Sequence, residues 1–265
     1  MASSVKLYTI GNMINADIDS ATSSATGYPK ENLIDNNPDT WWKGTSTSDQ
    51  WLDIDLNSVS LQVDCFFVFV HNYASLVDSK NMTLWWSDDD SAYTGVAGAV
   101  VINNLTGPIP IVKTSNLSLT HRYWRIKCVS ITTIPEVSMI GFGTTHSITQ
   151  GNEYPEDDTD VFYNQILKGK DGRNMVTGVN SRSFKTFSRK FTFNGTTNWL
   201  ALQAAHQDSR GSLLPLVLLE GTAGTDDKLV TFVDDNLKKN ETDYHLYKPV
   251  VKFAEMPYVP DGESY

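Results

Sequence analysis

Cysteine is nearly absent, with only Cys65 and Cys128 in 265 residues. Two thiols cannot build a disulfide framework, and no Cys-x-x-Cys or Cys/His spacing suits structural zinc. Both sit in apolar strand-like runs, VDCFFVFV and RIKCVSI, and read as buried free thiols. Long hydrophobic runs are missing too. The longest, Cys65 to Val70, is far short of the ~18 residues a membrane helix needs, so no membrane insertion is expected. The first ten residues, MASSVKLYTI, carry no signal-peptide stretch. Basic side chains are in deficit, 21 against 31 acidic ones, giving a net charge of −10. Nucleic acid is therefore not expected as a partner, because phosphate contact needs clustered Lys and Arg. No GxSxG, P-loop, GxGxxG or HExxH motif occurs, and the five histidines are scattered. No catalytic residue is assigned, and the chain is expected not to be an enzyme.

What is present points to β-structure. Hydrophobic residues make up 40% of the chain and aromatics 11%, enough for a real core. Five Asn-x-Ser/Thr sequons, from Asn81, Asn104, Asn116, Asn194 and Asn240, are near what an Asn-, Ser- and Thr-rich chain gives by chance. The dominant period is two: Leu52, Ile54 and Leu56 alternate with polar neighbours. Further strands are expected at Val63–His71, Asn81–Ser87, Ala99–Ile102, Tyr123–Ile131 and Val137–Phe142, separated by turns such as Asp88-Asp89-Asp90-Ser91. Trp85 and Trp86 must point to opposite faces of their strand, leaving one at a ligand surface or interface. Residues 1–147 thus read as an antiparallel β-sandwich.

The character changes over 148–180. An acidic block (Glu153, Glu156, Asp157, Asp158, Asp160) precedes a basic one running from Lys168 to Lys190. Such blocks suit a solvated connector or an extended arm that pairs with neighbouring subunits. On the second reading Asp157, Asp158, Lys185, Arg189 and Lys190 form the interface. From 181 to 265 a small α+β domain is expected. It has a strand at Phe184–Phe193, then a helix capped by Thr196-Thr197-Asn198 and stopped at Arg210-Gly211. Strands follow at Leu214–Leu219, Lys228–Val233 and Tyr244–Glu255.

Several ordered elements carry a resemblance. Ser23-Ser24, Gly27-Tyr28-Pro29, Glu31-Asn32-Leu33-Ile34-Asp35, Asp39-Thr40-Trp41-Trp42 and Gln50-Trp51-Leu52 come first. A strand ending in His71-Asn72, a Ser87-Asp88-Asp89 turn, Arg122-Tyr123-Trp124-Arg125-Ile126, and Glu136 before Gly141 follow in order. Over residues 5–145 this resembles the discoidin, or coagulation factor 5/8 type C, domain, a galactose-binding-like jelly roll. The coagulation-type end-to-end cysteine pair is lacking. In carbohydrate-binding relatives the loop matching Asp35–Thr40 holds a structural calcium ion, completed by a Glu from the last strand. The resemblance implies Asp35, Asn37, Thr40 and Glu136 as its ligands here. The side chains alone equally suit an Asx-type turn without an ion. Tyr28, Trp42, Tyr73, Trp86 and His121 are the glycan-contact candidates.

The C-terminal elements, Arg189–Phe193, Trp199–Gln207, Gly211–Leu219, Val230-Thr231-Phe232 and Val250–Glu255, resemble tail proteins of double-stranded DNA bacteriophages. The pairing implies a structural component of a phage tail or baseplate, assembled in the host cytoplasm and located in the virion. Its expected partners are further copies in a symmetric ring, other tail proteins and host surface glycans. The alternative is a carbohydrate-binding module of an adhesin or polysaccharide-processing system.

Overall fold

Strand alternation dominates the structure, a computed structural model. It describes residues 5–13, 15–37, 40–58, 61–70, 82–100, 111–129, 131, 133–149, 152–153, 158–168, 174–220, 227–234, 237–238, 241–243 and 246–256. The first part forms β1 (Val5–Thr9), β2 (Asp17–Ala21), β3 (Trp42–Lys43), β4 (Gln50–Asp55), β5 (Val63–Val70), β6 (Met82–Ser87), β7 (Thr94–Val100), β8 (Ile111–Leu119), β9 (Tyr123–Cys128), β10 (Glu136–Gly143) and β11 (Thr145–Ile148). The second part forms β12 (Asn152–Glu153), β13 (Asp158–Lys168), β14 (Asn174–Phe191), β15 (Phe193–Asn194), helix α1 (Thr197–Asp208), β16 (Leu216–Glu220), β17 (Asp227–Phe232), β18 (Glu241–Asp243), β19 (Leu246–Tyr247) and β20 (Val250–Glu255).

The expected sandwich is there. A five-stranded sheet, ordered β2-β4-β9-β6-β7, packs on a four-stranded sheet, ordered β3-β10-β5-β8, and its pairings are antiparallel. Period two decides which side chains fill the space between. Leu52, Ile54, Leu84, Trp124 and Ile126 turn inward from one sheet, and Phe66 and Phe142 from the other. The Trp124 and Phe142 rings meet at 5.2 Å. Each such side chain, fully buried, contributes about 1.5–3 kcal/mol of transfer free energy. Cys65 and Cys128 are buried free thiols, and burial pushes both up to about 12.

The two halves share a sheet. β1 pairs with β11 on one side and with β16 on the other, so Leu7 lies opposite both His146 and Leu218. This creates an eight-stranded sheet, β11-β1-β16-β17-β20-β14-β12, with β13 on β14. Alternation along its strands splits the burial. Tyr8, Val217, Leu219 and Leu229 join the sandwich core. Leu7, Leu216, Leu218 and Val230 join a second core with Trp199, Leu202 and Phe253. The boundary expected at residue 147 therefore falls inside β11. The stretch expected as a connector over 148–180 contains β12, β13 and the start of β14.

The helix appears where expected, with a different start. Thr196 occupies the N-cap but makes no side-chain cap hydrogen bond. Asn198 turns elsewhere: its Oδ1 accepts the Thr149 backbone N–H at 2.9 Å and the Thr149 hydroxyl at 3.3 Å. The stop is a Schellman-type turn in which Gly211 N–H reaches the His206 carbonyl and Arg210 N–H reaches Gln207, both at 2.9 Å. Arg210 shares the left-handed backbone with Gly211, at φ 49° and 68°. His206 packs edge-on against Phe232 and hydrogen-bonds the Asp234 carbonyl oxygen, consistent with a packing role.

Candidate functional site

β6 sends its two tryptophans to opposite faces, and each finds a different setting. Trp86 lies at the rim of the sandwich, stacked on His121 with ring centroids 3.5 Å apart and planes within 6°. His121 Nδ1 is 2.8 Å from an Asp88 carboxylate oxygen. Trp124 supports the pair from the core, its indole N–H donating to the His121 carbonyl at 3.0 Å. The Asp88 side chain is 70% exposed, against 15% for His121. The adjacent acids have other duties. Asp89 accepts hydrogen bonds from the backbone of Ala92 and Ser91 and from the Ser87 hydroxyl, which hold its carboxyl well below the usual range. Asp90 takes the left-handed turn position at φ 60°. The rim thus joins a flat aromatic-imidazole pair to one solvent-facing carboxylate.

Trp85 faces outward from the five-stranded sheet, with Lys127 Nζ 3.8 Å from its ring centroid. Arg125, opposite Trp85 in register, makes a bidentate pair with the buried Asp53 at 2.5 and 2.8 Å. Its guanidinium lies 3.8 Å from the Tyr93 ring centroid and 5.7 Å from that of Trp51. Sequence reasoning passed over Trp51, Trp85, Arg125 and Lys127 as site residues. The signal was available in YWRIKC, whose alternate residues Tyr123, Arg125 and Lys127 share the face opposite buried Trp124, Ile126 and Cys128.

The other expected glycan contacts divide. Tyr28 packs on Trp41, with centroids at 5.1 Å and Lys43 Nζ 5.7 Å above the Tyr28 ring. Trp42 is a correction: it is fully buried, and its indole N–H donates to the Ser23 carbonyl and the Ser24 hydroxyl. A side chain closed into the core offers no face to a sugar. Tyr73 lies outside the described residues.

Three of the four expected calcium ligands converge. Asp35 accepts the Asn37 backbone N–H at 2.8 Å and the Thr40 hydroxyl at 2.5 Å, and Thr40 Oγ1 lies 2.9 Å from the Asn37 carbonyl oxygen. Carboxylate, carbonyl and hydroxyl oxygens on one loop are a donor set that fits a hard cation. Glu136 is placed differently. It faces Lys43 across β10 and β3 and pairs with that ammonium at 2.5 Å. Among the described residues no group of three or more His, Cys, Asp or Glu side chains is arranged around a common point.

The charge blocks meet within one chain. Strand register sets Glu153 opposite Lys190 and Asp160 opposite Lys185, while Asp158 lies opposite Phe187. Asp157 lies outside the described residues. Arg189 is a correction as an interface residue: it is 1% exposed, and its guanidinium lies 4.4 Å from the Phe187 ring centroid. Lys190 is exposed.

No family model matches the chain. No curated protein matches it either. Among solved structures, the C-terminal domain of a chitobiase from Bacteroides fragilis is similar at 20% identity and TM-score 0.42, covering 51% of this chain and 97% of that one. A chitosan-binding module of a chitosanase/glucanase from Paenibacillus sp. IK-5 matches at 18% identity and TM-score 0.41, covering 50% and 98%. CpGH89CBM32-5 from Clostridium perfringens, solved with GalNAc-beta-1,3-galactose, matches at 13% and 0.42, covering 51% and 99%. These overlaps carry no functional assignment.

Proposed function

We propose that this chain is a non-catalytic carbohydrate-recognition protein whose sandwich takes a glycan at the Trp86–His121–Asp88 rim. The carrying observation is the parallel, face-to-face Trp86–His121 stack beside an exposed carboxylate. Sugars present an apolar C–H face and a ring of hydroxyls. A flat aromatic surface with a fixed polar group answers both. A calcium ion held by the oxygens of Asp35, Asn37 and Thr40 would have a structural role, stiffening the loop that leads into β3. A glycan array probed with the full chain, followed by calorimetric titration, tests the rim. Trp86→Ala and His121→Ala should each weaken the best ligand by about tenfold or more. Unchanged affinity in both variants would overturn the assignment.

A structural role in a phage tail or baseplate is a second reading, which rests on the resemblance of the C-terminal elements to tail proteins and is compatible with the sheet that runs from β11 through β1 into β16. It builds the recognition sandwich rigidly into a larger body rather than leaving it on a tether. Mass spectrometry of purified particles is the test. Presence in stoichiometric amounts supports a virion component, and recovery solely as free monomer counts against it.

A further inference from the structure

Lys127 stands on the outward face of β9 between two tryptophans. Trp51 on β4 is its direct cross-strand neighbour. Trp85 on β6 holds its ring centroid 3.8 Å from the ammonium. Strand spacing of about 4.8 Å and a rise of about 3.4 Å per residue set the two tryptophans about 12 Å apart across the strip. Trp51 is 37% exposed, on a face where most aromatic surface is otherwise covered.

Charge on this face is uneven. Arg125 is neutralised by Asp53 and Arg122 by Asp55, each through two hydrogen bonds. Lys127 forms no ion pair among the described residues. On the β2 side of the face, Asp90 is the largest charge that, after burial, pushes the Asp19 carboxyl up. Of Arg122, Arg125 and Lys127, Lys127 is the one without an ion pair among the described residues, and it lies beside two indoles. The Asp53–Arg125 pair, buttressed by the Ser20 hydroxyl at 2.7 Å, is a rigid polar group in the middle.

We propose that this outward strip is a second glycan-binding surface, which takes an oligosaccharide bearing a uronic acid. A sugar ring lies on Trp51, the Trp85 ring carries the Lys127 ammonium, and one carboxylate meets Lys127. One ammonium without an ion pair among the described residues matches a sparsely charged sugar chain. A nucleic-acid strand, with a phosphate at every residue, requires several free cations and is repelled by a chain of net charge −10. The proposal goes beyond the rim reading, since Trp85 and Trp86 serve opposite faces of β6 and either surface can fail alone.

The full chain is titrated with aldotetraouronic acid (xylotriose carrying one glucuronic acid), with xylotetraose as the uncharged control and an oligothymidylate as the nucleic-acid control, followed by tryptophan fluorescence and calorimetry. Aldotetraouronic acid should quench fluorescence and bind more tightly than xylotetraose. Lys127→Gln should cost about tenfold, the worth of one charge-assisted contact. Trp51→Ala should weaken both sugars, and Trp86→Ala should leave uronate binding intact. Near-ultraviolet circular dichroism of each variant confirms folding. The proposal is overturned by no uronate binding, by full affinity in Lys127→Gln, by loss in Trp86→Ala alone, or by tighter binding of an oligothymidylate.

Discussion

His146 Nε2 lies 2.8 Å from an Asp208 carboxylate oxygen and so ties strand β11 to the last residue of helix α1. The Thr9 hydroxyl reaches the same oxygen at 3.3 Å. Gly11 permits the approach, since a β-carbon there would stand 3.2 Å from the Asp208 carbonyl oxygen. Three segments far apart in sequence thus meet at one carboxylate where the two cores adjoin. Asp208→Ala should lower unfolding free energy by about 1 kcal/mol, less than the ~1.5–3 kcal/mol of a buried hydrogen bond to a charged group because Asp208 is part-exposed. Urea denaturation reads it, and an unchanged midpoint would show that the pair adds nothing.

Asp55 should govern part of the acid limb of stability. Arg122 donates to both of its oxygens at 2.8 and 2.7 Å, and the Asn57 backbone N–H adds a third bond. The Arg122 bonds are the main cause of a carboxyl held below its ordinary 3.8. A depressed folded value means the contribution is complete above the unfolded value. It is then lost as pH falls through the folded one. Stability measured from about pH 6 to about pH 2 should therefore fall less steeply in Asp55→Asn than in the parent. Parallel curves would sink this.

The sandwich was legible because period two is written in single strands: Leu52, Ile54 and Leu56, or Trp124, Ile126 and Cys128, state their own inward face. The helix stop at Arg210-Gly211 was equally local. Partnership between distant strands was not. Nothing in VKLYT announces that Val5–Thr9 pairs with both Thr145–Ile148 and Leu216–Glu220, since side-chain alternation marks the faces of a strand while its edge partners are chosen by tertiary fit. The charge blocks misled for the same reason. Their contrast was real, but the register that sets Asp160 against Lys185 lies in the backbone pairing. At the rim, Trp86 and His121 were legible as candidates, whereas Trp42 was not separable by sequence from an exposed loop aromatic.

Gly143 is the tightest point of the seam between the two cores. A β-carbon there would sit 1.8 Å from the Thr9 carbonyl oxygen, a backbone atom that cannot rotate away. Gly143→Ala must then push β10 off β1, at a cost beyond the usual ~1–3 kcal/mol of overpacking. The variant should be recovered mainly in the insoluble fraction or melt far below the parent. A soluble variant with a parent-like melting temperature would show that the seam relaxes easily.

Calcium offers a test of the Asp35–Thr40 loop that does not depend on any glycan. The loop is already closed by the Asn37 N–H and Thr40 hydroxyl bonds to Asp35, so an ion must displace those donors. If it does, binding to the folded state alone stabilises by mass action. At millimolar affinity and a ten- to hundredfold excess of calcium this amounts to about 1.4–2.7 kcal/mol. The melting temperature of the parent should rise with calcium and not with sodium at equal ionic strength, and Asp35→Ala should abolish the rise. Glu136→Gln should keep it, because Glu136 is committed to Lys43. A melting temperature indifferent to calcium in the parent identifies the loop as a self-closed Asx turn.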